Sequence, residues 1–224
     1  MMLRKPLDRL MQLKPDQVRR FIINFYLIGL LGFMLPFSRD FFIQLTGLAL
    51  VINFVLLLWF HEGSYKLDTI LVFVFIFLAG YFIEVIGVET GMIFGNYTYG
   101  SALGLKLFET PLMIGVNWLM LSYCFASILQ PMRIHRMTKI LLASSGMLIY
   151  DFVMEQSAPL LDLWSWKNDL IPLENYMAWF IIAFFFQLIF VYAGIRLKNP
   201  VASIILLVQF LFFLVLAVYK TIFL

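Results

Sequence analysis

The chain has 224 residues, 63% of them hydrophobic and only 13% charged, with a formal net charge of +3 and a mean hydropathy of +0.95. A soluble domain carries about 25% charged residues and could not keep such an apolar excess from water. Disorder, nucleic-acid binding and a disulfide scaffold are excluded together, the last because Cys124 is the single cysteine; a lipid bilayer is the second solvent that remains.

Seven apolar stretches long enough to span a bilayer follow in order: 21–37, 41–60, 69–88, 111–129, 138–154, 176–195 and 200–223. The first comes after Arg19 and Arg20 but is too long for a signal-peptide core and lacks a small-residue cleavage site, so it reads as a transmembrane helix. With the N-terminus inside, 12 of the 16 basic residues are cytoplasmic: Arg4, Lys5, Arg9, Lys14, Arg19, Arg20, Lys66, Arg133, Arg136, Lys139, Arg196 and Lys198. Arg39, Lys106, Lys167 and Lys220 fall on the other side. The positive-inside rule therefore predicts an all-α, polytopic membrane helix bundle of seven transmembrane helices. Its N-terminus is cytoplasmic and its C-terminus extracytoplasmic. Residues 1–224 form one integral membrane domain, multi-pass in the cell membrane. The helices over 21–60 and 200–223 are nearly free of ionisable residues and read as scaffold.

Two long loops, 89–110 and 155–175, fall on the extracytoplasmic side, and long patterned loops on one face mark a place for function. An ionisable group within the bilayer is costly, so each one needs a reason. Glu84 lies three-quarters along the third span, and Asp151 near the outer end of the fifth. Asp151 and Glu155 are spaced i, i+4 and share a helix face. Glu84 and Glu89 are about 140° apart and share one only if the helix breaks, which Gly87 and Gly91 would permit. All four carboxylates sit at similar depth, as candidate catalytic groups or as plain interhelical hydrogen-bonding groups. The loop after the third span interleaves Gly91, Gly95, Gly100 and Gly104 with aromatics and has no nucleotide-binding spacing. The loop after the fifth carries Trp164, Trp166 and Trp179, which read equally as an interfacial aromatic belt. Trp118, mid-span, faces either lipid or a pocket. His61 and His135 lie on the cytoplasmic side, away from the acids, so no metal site is expected. Lys220 sits too near the end of the last span, in the wrong orientation, for a retinal protein.

The run Glu84-x-x-Gly87-x-x-x-Gly91-x-x-Phe94-Gly95-x-Tyr97-x-Tyr99, followed by Gly104, Pro111 and Trp118, resembles the membrane carotenoid hydratases. That family includes bisanhydrobacterioruberin hydratase and the γ-carotene and lycopene hydratases. Asp151-x-x-Met154-Glu155-x-x-Ala158-Pro159, with Trp164-x-Trp166, Pro172, Asn175-Tyr176 and Trp179, matches the same family, so the likeness covers residues 80–180. It implies carotenoid biosynthesis: hydration of the terminal C=C bond of an acyclic ψ-end group to a tertiary alcohol, without a cofactor. The implied partners are a polyene drawn from the lipid phase, membrane lipids and other carotenoid biosynthesis enzymes. The chemistry needs a carboxylic acid that stays protonated, a base that places water, and aromatic faces that tolerate a cation. Asp151, Glu84, Glu155 and Glu89 are the candidate catalytic residues, and Tyr97, Tyr99, Trp118, Trp166, Asn175 and Tyr176 the candidate substrate-binding ones. Asp151 is favoured as acid, being flanked by Tyr150 and Phe152, with Glu84 or Glu155 placing water. Two other readings stand beside it: a lycopene-cyclase-like enzyme that quenches the cation by ring closure, and a proton-coupled transporter.

Overall fold

The computed structural model describes residues 13–223. Among them are eight α-helices: α1 (Pro15–Met34), α2 (Arg39–Gln44), α3 (Thr46–Trp59), α4 (Leu67–Thr90), α5 (Met113–Leu129), α6 (Arg136–Ser157), α7 (Leu173–Tyr192) and α8 (Ala202–Phe223). Four of them, α4, α6, α7 and α8, are long and apolar enough to cross a membrane, while α3 and α5 are apolar but shorter. The architecture is a helical bundle of membrane type. Arg4, Lys5 and Arg9, three of the cytoplasmic cations expected above, lie outside the described residues.

Local chemistry sets the ends. Pro15 opens α1, where its missing N–H costs nothing and its fixed φ already suits a helix. The predicted span 41–60 is divided between α2 and α3 at Leu45. The Gly47 N–H leaves the helical ladder there and donates to the Ala102 carbonyl at 3.0 Å, so the loop over 101–104 draws the chain out of one continuous helix. On α4 the buried positions Thr69, Phe73, Ile76, Gly80, Glu84 and Gly87 recur three or four apart, whereas Leu71, Val74, Phe75, Leu78, Phe82 and Ile86 are exposed. An apolar stripe outside and a carboxylate inside is the inverse of a soluble helix, as a bilayer requires.

α5 is the axis of the bundle. It packs against α3, α4, α6, α7 and α8, and thirteen of its seventeen residues are buried. Gly80 of α4 makes a close approach possible: a Cβ there would stand 2.6 Å from the Cβ of Trp118. Around α5, α6 lies against α7 and α8, and α1 against α8.

The loops at the carboxylate end are not irregular. Strand β1 (Tyr97–Tyr99) pairs antiparallel with β4 (Trp164–Trp166), in register Tyr97 with Trp166 and Tyr99 with Trp164. Between them, β2 (Lys106–Leu107) and β3 (Thr110–Pro111) form a small hairpin. The bundle is all-α as expected, and two two-stranded ribbons cap one end of its helices.

Candidate active site

The β1–β4 ribbon owes its position to its two-residue period. Thr98 and Ser165 face outward, while Tyr97, Tyr99, Trp164 and Trp166 face the bundle and are buried. Each inward aromatic aims a polar atom at a carboxylate. The phenols of Tyr97 and Tyr99 donate to Glu84 Oε2 at 2.5 and 2.8 Å. The indoles of Trp164 and Trp166 donate to Glu155 Oε2 at 2.9 and 2.7 Å. Burial first, and the neighbouring Glu84 second, push both phenols above their ordinary range, so they stay protonated donors.

From the helices come the remaining partners. Trp118 Nε1 donates to Glu84 Oε1 at 3.0 Å, giving this carboxyl three donors and, among the described residues, no cation. The Trp118 indole stacks on Trp179 at a centroid distance of 4.1 Å. Asn175, in the first turn of α7, donates through Nδ2 to Asp151 Oδ2 (3.2 Å) and to Glu155 Oε1 (3.3 Å). Asp151 is fully buried, and its Oδ1 has no hydrogen-bond partner among the described residues. The ion pairs among the described residues, Arg19–Asp16 and Lys198–Glu62, involve none of these three acids. Among the described residues no three of His, Cys, Asp and Glu converge as a metal site would require.

Two cavities adjoin the cluster. The first, about 300 Å³, is walled by apolar side chains that include Phe25 and Phe33 of α1, Phe42 of α2, Leu50 of α3 and Phe212 of α8. Ile28, 61% exposed, stands at its rim, so it opens on the flank of the bundle. The second, about 20 Å³, is bounded by Glu84, Glu155, Tyr97, Tyr99, Trp166 and Asn175 among others. Ile114, Asn117, Met154 and Trp164 line both, so the two share a wall. One end of a long apolar molecule and one small polar molecule can therefore meet beside carboxyl groups.

Of the residues singled out in the sequence, Glu84, Glu155, Tyr97, Tyr99, Trp118, Trp166 and Asn175 come together around the small cavity. Asp151 lies behind it, reaching Glu155 through Asn175. Glu89 is not brought in. α4 continues unbroken to Thr90 and stops at Gly91, whose φ of +65° suits a residue without Cβ, so Glu89 points outward and is exposed. Tyr176 is half-buried on the flank, its ring against Phe152 at 5.7 Å. Trp164 and Trp166 are not an interfacial belt, since both indole N–H groups turn inward to Glu155. The helices read as scaffold, α1, α3 and α8, wall the large cavity. Sequence reasoning passed over Asn117, Trp164, Met154 and Trp179 as site residues. The Trp-x-Trp spacing signals Trp164, and a lone amide in an apolar span signals Asn117.

The family model described as "Carotenoid biosynthesis protein" matches residues 41–224. No curated protein and no solved structure matches the chain.

Proposed function

As the chain belongs to the carotenoid biosynthesis protein family, we propose that it adds water across the terminal C=C bond of an acyclic carotenoid end group, giving a tertiary alcohol without a cofactor. The observation that carries this reading is the set of buried carboxyls, bonded to donors alone, around a small cavity that shares a wall with an apolar cavity opening on the flank. A polyene dissolved in lipid enters such a cavity sideways and presents only its end to the acids.

Three buried carboxylates without a counter-cation would cost far more than hydrogen bonds return, so the cluster retains protons. Asp151, with one amide donor and a free oxygen, is the member best suited to hold one. Glu155 faces the cavity and delivers the proton to the less substituted alkene carbon, and Asp151 resupplies it across the group that Asn175 holds together. A tertiary cation forms at the neighbouring carbon, beside the faces of Trp164 and Trp166, which stabilise it by about 0.5–2 kcal/mol each. Water adds to that carbon, and Glu84 accepts the proton the water sheds and returns it across the small cavity to Glu155, which closes the cycle. Preorganised donors from Tyr97, Tyr99 and Trp118 hold Glu84 in place for this step. The small polar cavity supports hydration over ring closure, which needs no water.

The same reading takes the charge asymmetry of the sequence at face value: seven crossings of the cell membrane, N-terminus cytoplasmic and C-terminus extracytoplasmic. Membrane lipids supply the substrate, and other carotenoid biosynthesis enzymes precede and follow the step. The test is expression in a lycopene-accumulating host, with pigment mass as readout. A gain of one water, with oxygen drawn from labelled solvent under anaerobic conditions, is expected. A product of unchanged mass, or a requirement for dioxygen, overturns the reading.

A further inference from the structure

Among the described residues five amide side chains are buried in the bundle: Asn53, Asn117, Asn175, Gln187 and Gln209. Four have clear partners. Asn53 donates to Tyr26 Oη, Asn175 to two carboxyls and Gln187 to the Ser122 carbonyl, while Gln209 accepts from Tyr150. Asn117 is 8% exposed, and among the described residues nothing bonds to its amide. A primary amide inside a membrane helix is expensive to leave unsatisfied. It is nonetheless placed on the wall between the large apolar cavity and the small polar one, one residue from the Trp118 that holds Glu84.

The size of the small cavity is the second observation. About 20 Å³ is enough to hold a water molecule, which needs roughly 10–15 Å³. A cavity water also needs two to four polar partners. Glu84, Glu155 and Asn117 all line it, whereas the large cavity, walled chiefly by apolar side chains, has no carboxyl in its lining.

We infer that the small cavity seats the single reacting water and that Asn117 is its positioning residue, turning one oxygen lone pair toward the apolar cavity. This rests on the hydratase reading and deepens it. The Asn117 carbonyl accepts the O–H that survives in the product, and Glu84 accepts the O–H that is broken. The C–O bond forms between the water oxygen and the tertiary carbon. Without Asn117 the cation still forms, since its proton comes from Glu155. It then lacks an aimed nucleophile and collapses by returning a proton from either adjacent carbon, giving starting alkene or a shifted double bond of the same mass.

The test is product partition in heavy water with purified protein in lipid. Asn117→Leu keeps the branched skeleton but offers no polar atom, Asn117→Ala adds room, and Asn117→Asp keeps an acceptor oxygen. In the Leu and Ala variants the ratio of hydrate to isomerised alkene falls by about tenfold or more, the worth of one well-placed hydrogen bond. Deuterium continues to wash into recovered alkene in both, and Asn117→Asp holds the parent ratio within about threefold. An unchanged ratio in the Leu and Ala variants overturns the inference. So does joint loss of hydration and deuterium exchange in both, because a role in folding or protonation would produce it. If the unsubstituted protein makes no hydrate, the hydratase reading fails, a result distinct from either.

Discussion

Replacing Glu84 by Gln separates what this side chain does for the fold from what it does for the chemistry. The carboxylate accepts from Tyr97 and Tyr99 on one oxygen and from Trp118 on the other. An amide has a single acceptor oxygen. If that oxygen keeps the two phenols, its NH₂ group meets the Trp118 indole N–H, donor against donor; the flipped amide keeps Trp118 but can only donate to the phenol oxygens, leaving both phenolic O–H groups without their acceptor. In either orientation a buried donor is left unpaired, and the remaining bonds fall from charge-assisted to neutral strength. Side-chain hydrogen bonds in membrane bundles are worth about 0.6 kcal/mol on average and about 1.7 at most. The stability loss is therefore about 1–3 kcal/mol, within the roughly 5–15 kcal/mol a folded domain holds in reserve, and the variant folds. Loss of a general base, by contrast, lowers turnover about 10²–10⁴-fold, or about 3–5 kcal/mol of barrier. Turnover in lipid and melting temperature in detergent, measured on the same preparation, give the two effects separately. Turnover within about threefold of the parent would show that Glu84 is not the proton acceptor. An unchanged melting temperature would show that the three hydrogen bonds to it are not made.

Tyr97→Phe and Tyr99→Phe each remove one donor from Glu84 Oε2. Because they share an acceptor, the double variant departs from the sum of the single losses by about 0.5 kcal/mol or more, and additive melting shifts would refute the shared oxygen. Gly29 lines the large cavity, and a Cβ there meets only Phe212, at 3.9 Å. Gly29→Ala is accordingly tolerated. Gly29→Leu obstructs the cavity and lowers turnover of a long polyene about tenfold or more while the melting temperature holds; equal turnover of Gly29→Leu and parent would mean that the substrate binds elsewhere. Reporters fused in the loop at Asn199 and after Leu224 should read on opposite sides of the membrane, cytoplasmic and extracytoplasmic; the same side for both would show that α8 does not cross.

The membrane bundle was legible in the sequence because lipid demands long apolar runs, and the acids were conspicuous because charge within such runs is costly. What organises them was harder to read. Tyr97-x-Tyr99 and Trp164-x-Trp166 each show a period of two, yet neither run contains its partner, which lies more than sixty residues away. A two-stranded ribbon of three residues a side has too little propensity of its own to announce itself. It is held by burying four aromatics against α4, α5 and α6, a tertiary effect. The division of the second predicted span is of the same kind, since the bond that draws Gly47 from the helix ends at Ala102.

Asp151 shows where reasoning along the chain goes astray on a helix. Its neighbours Tyr150 and Phe152 suggest an aromatic pocket, but consecutive helical residues point about 100° apart. Tyr150 turns to α8, its ring near Phe210 and Phe213 and its hydroxyl on Gln209, and Phe152 faces outward, 53% exposed. The surroundings of Asp151 are set instead by Glu155, one turn on, and by Asn175 of α7, which donates to both acids. In the proposed mechanism, burial without access makes Asp151 a proton store and leaves delivery to Glu155, which borders the small cavity. Asp151→Asn should then slow repeated turnover more than the first proton transfer, seen as a burst of deuterium incorporation followed by a slow steady state. Equal loss in burst and steady state would place Asp151 in direct contact with the alkene and reverse the two roles.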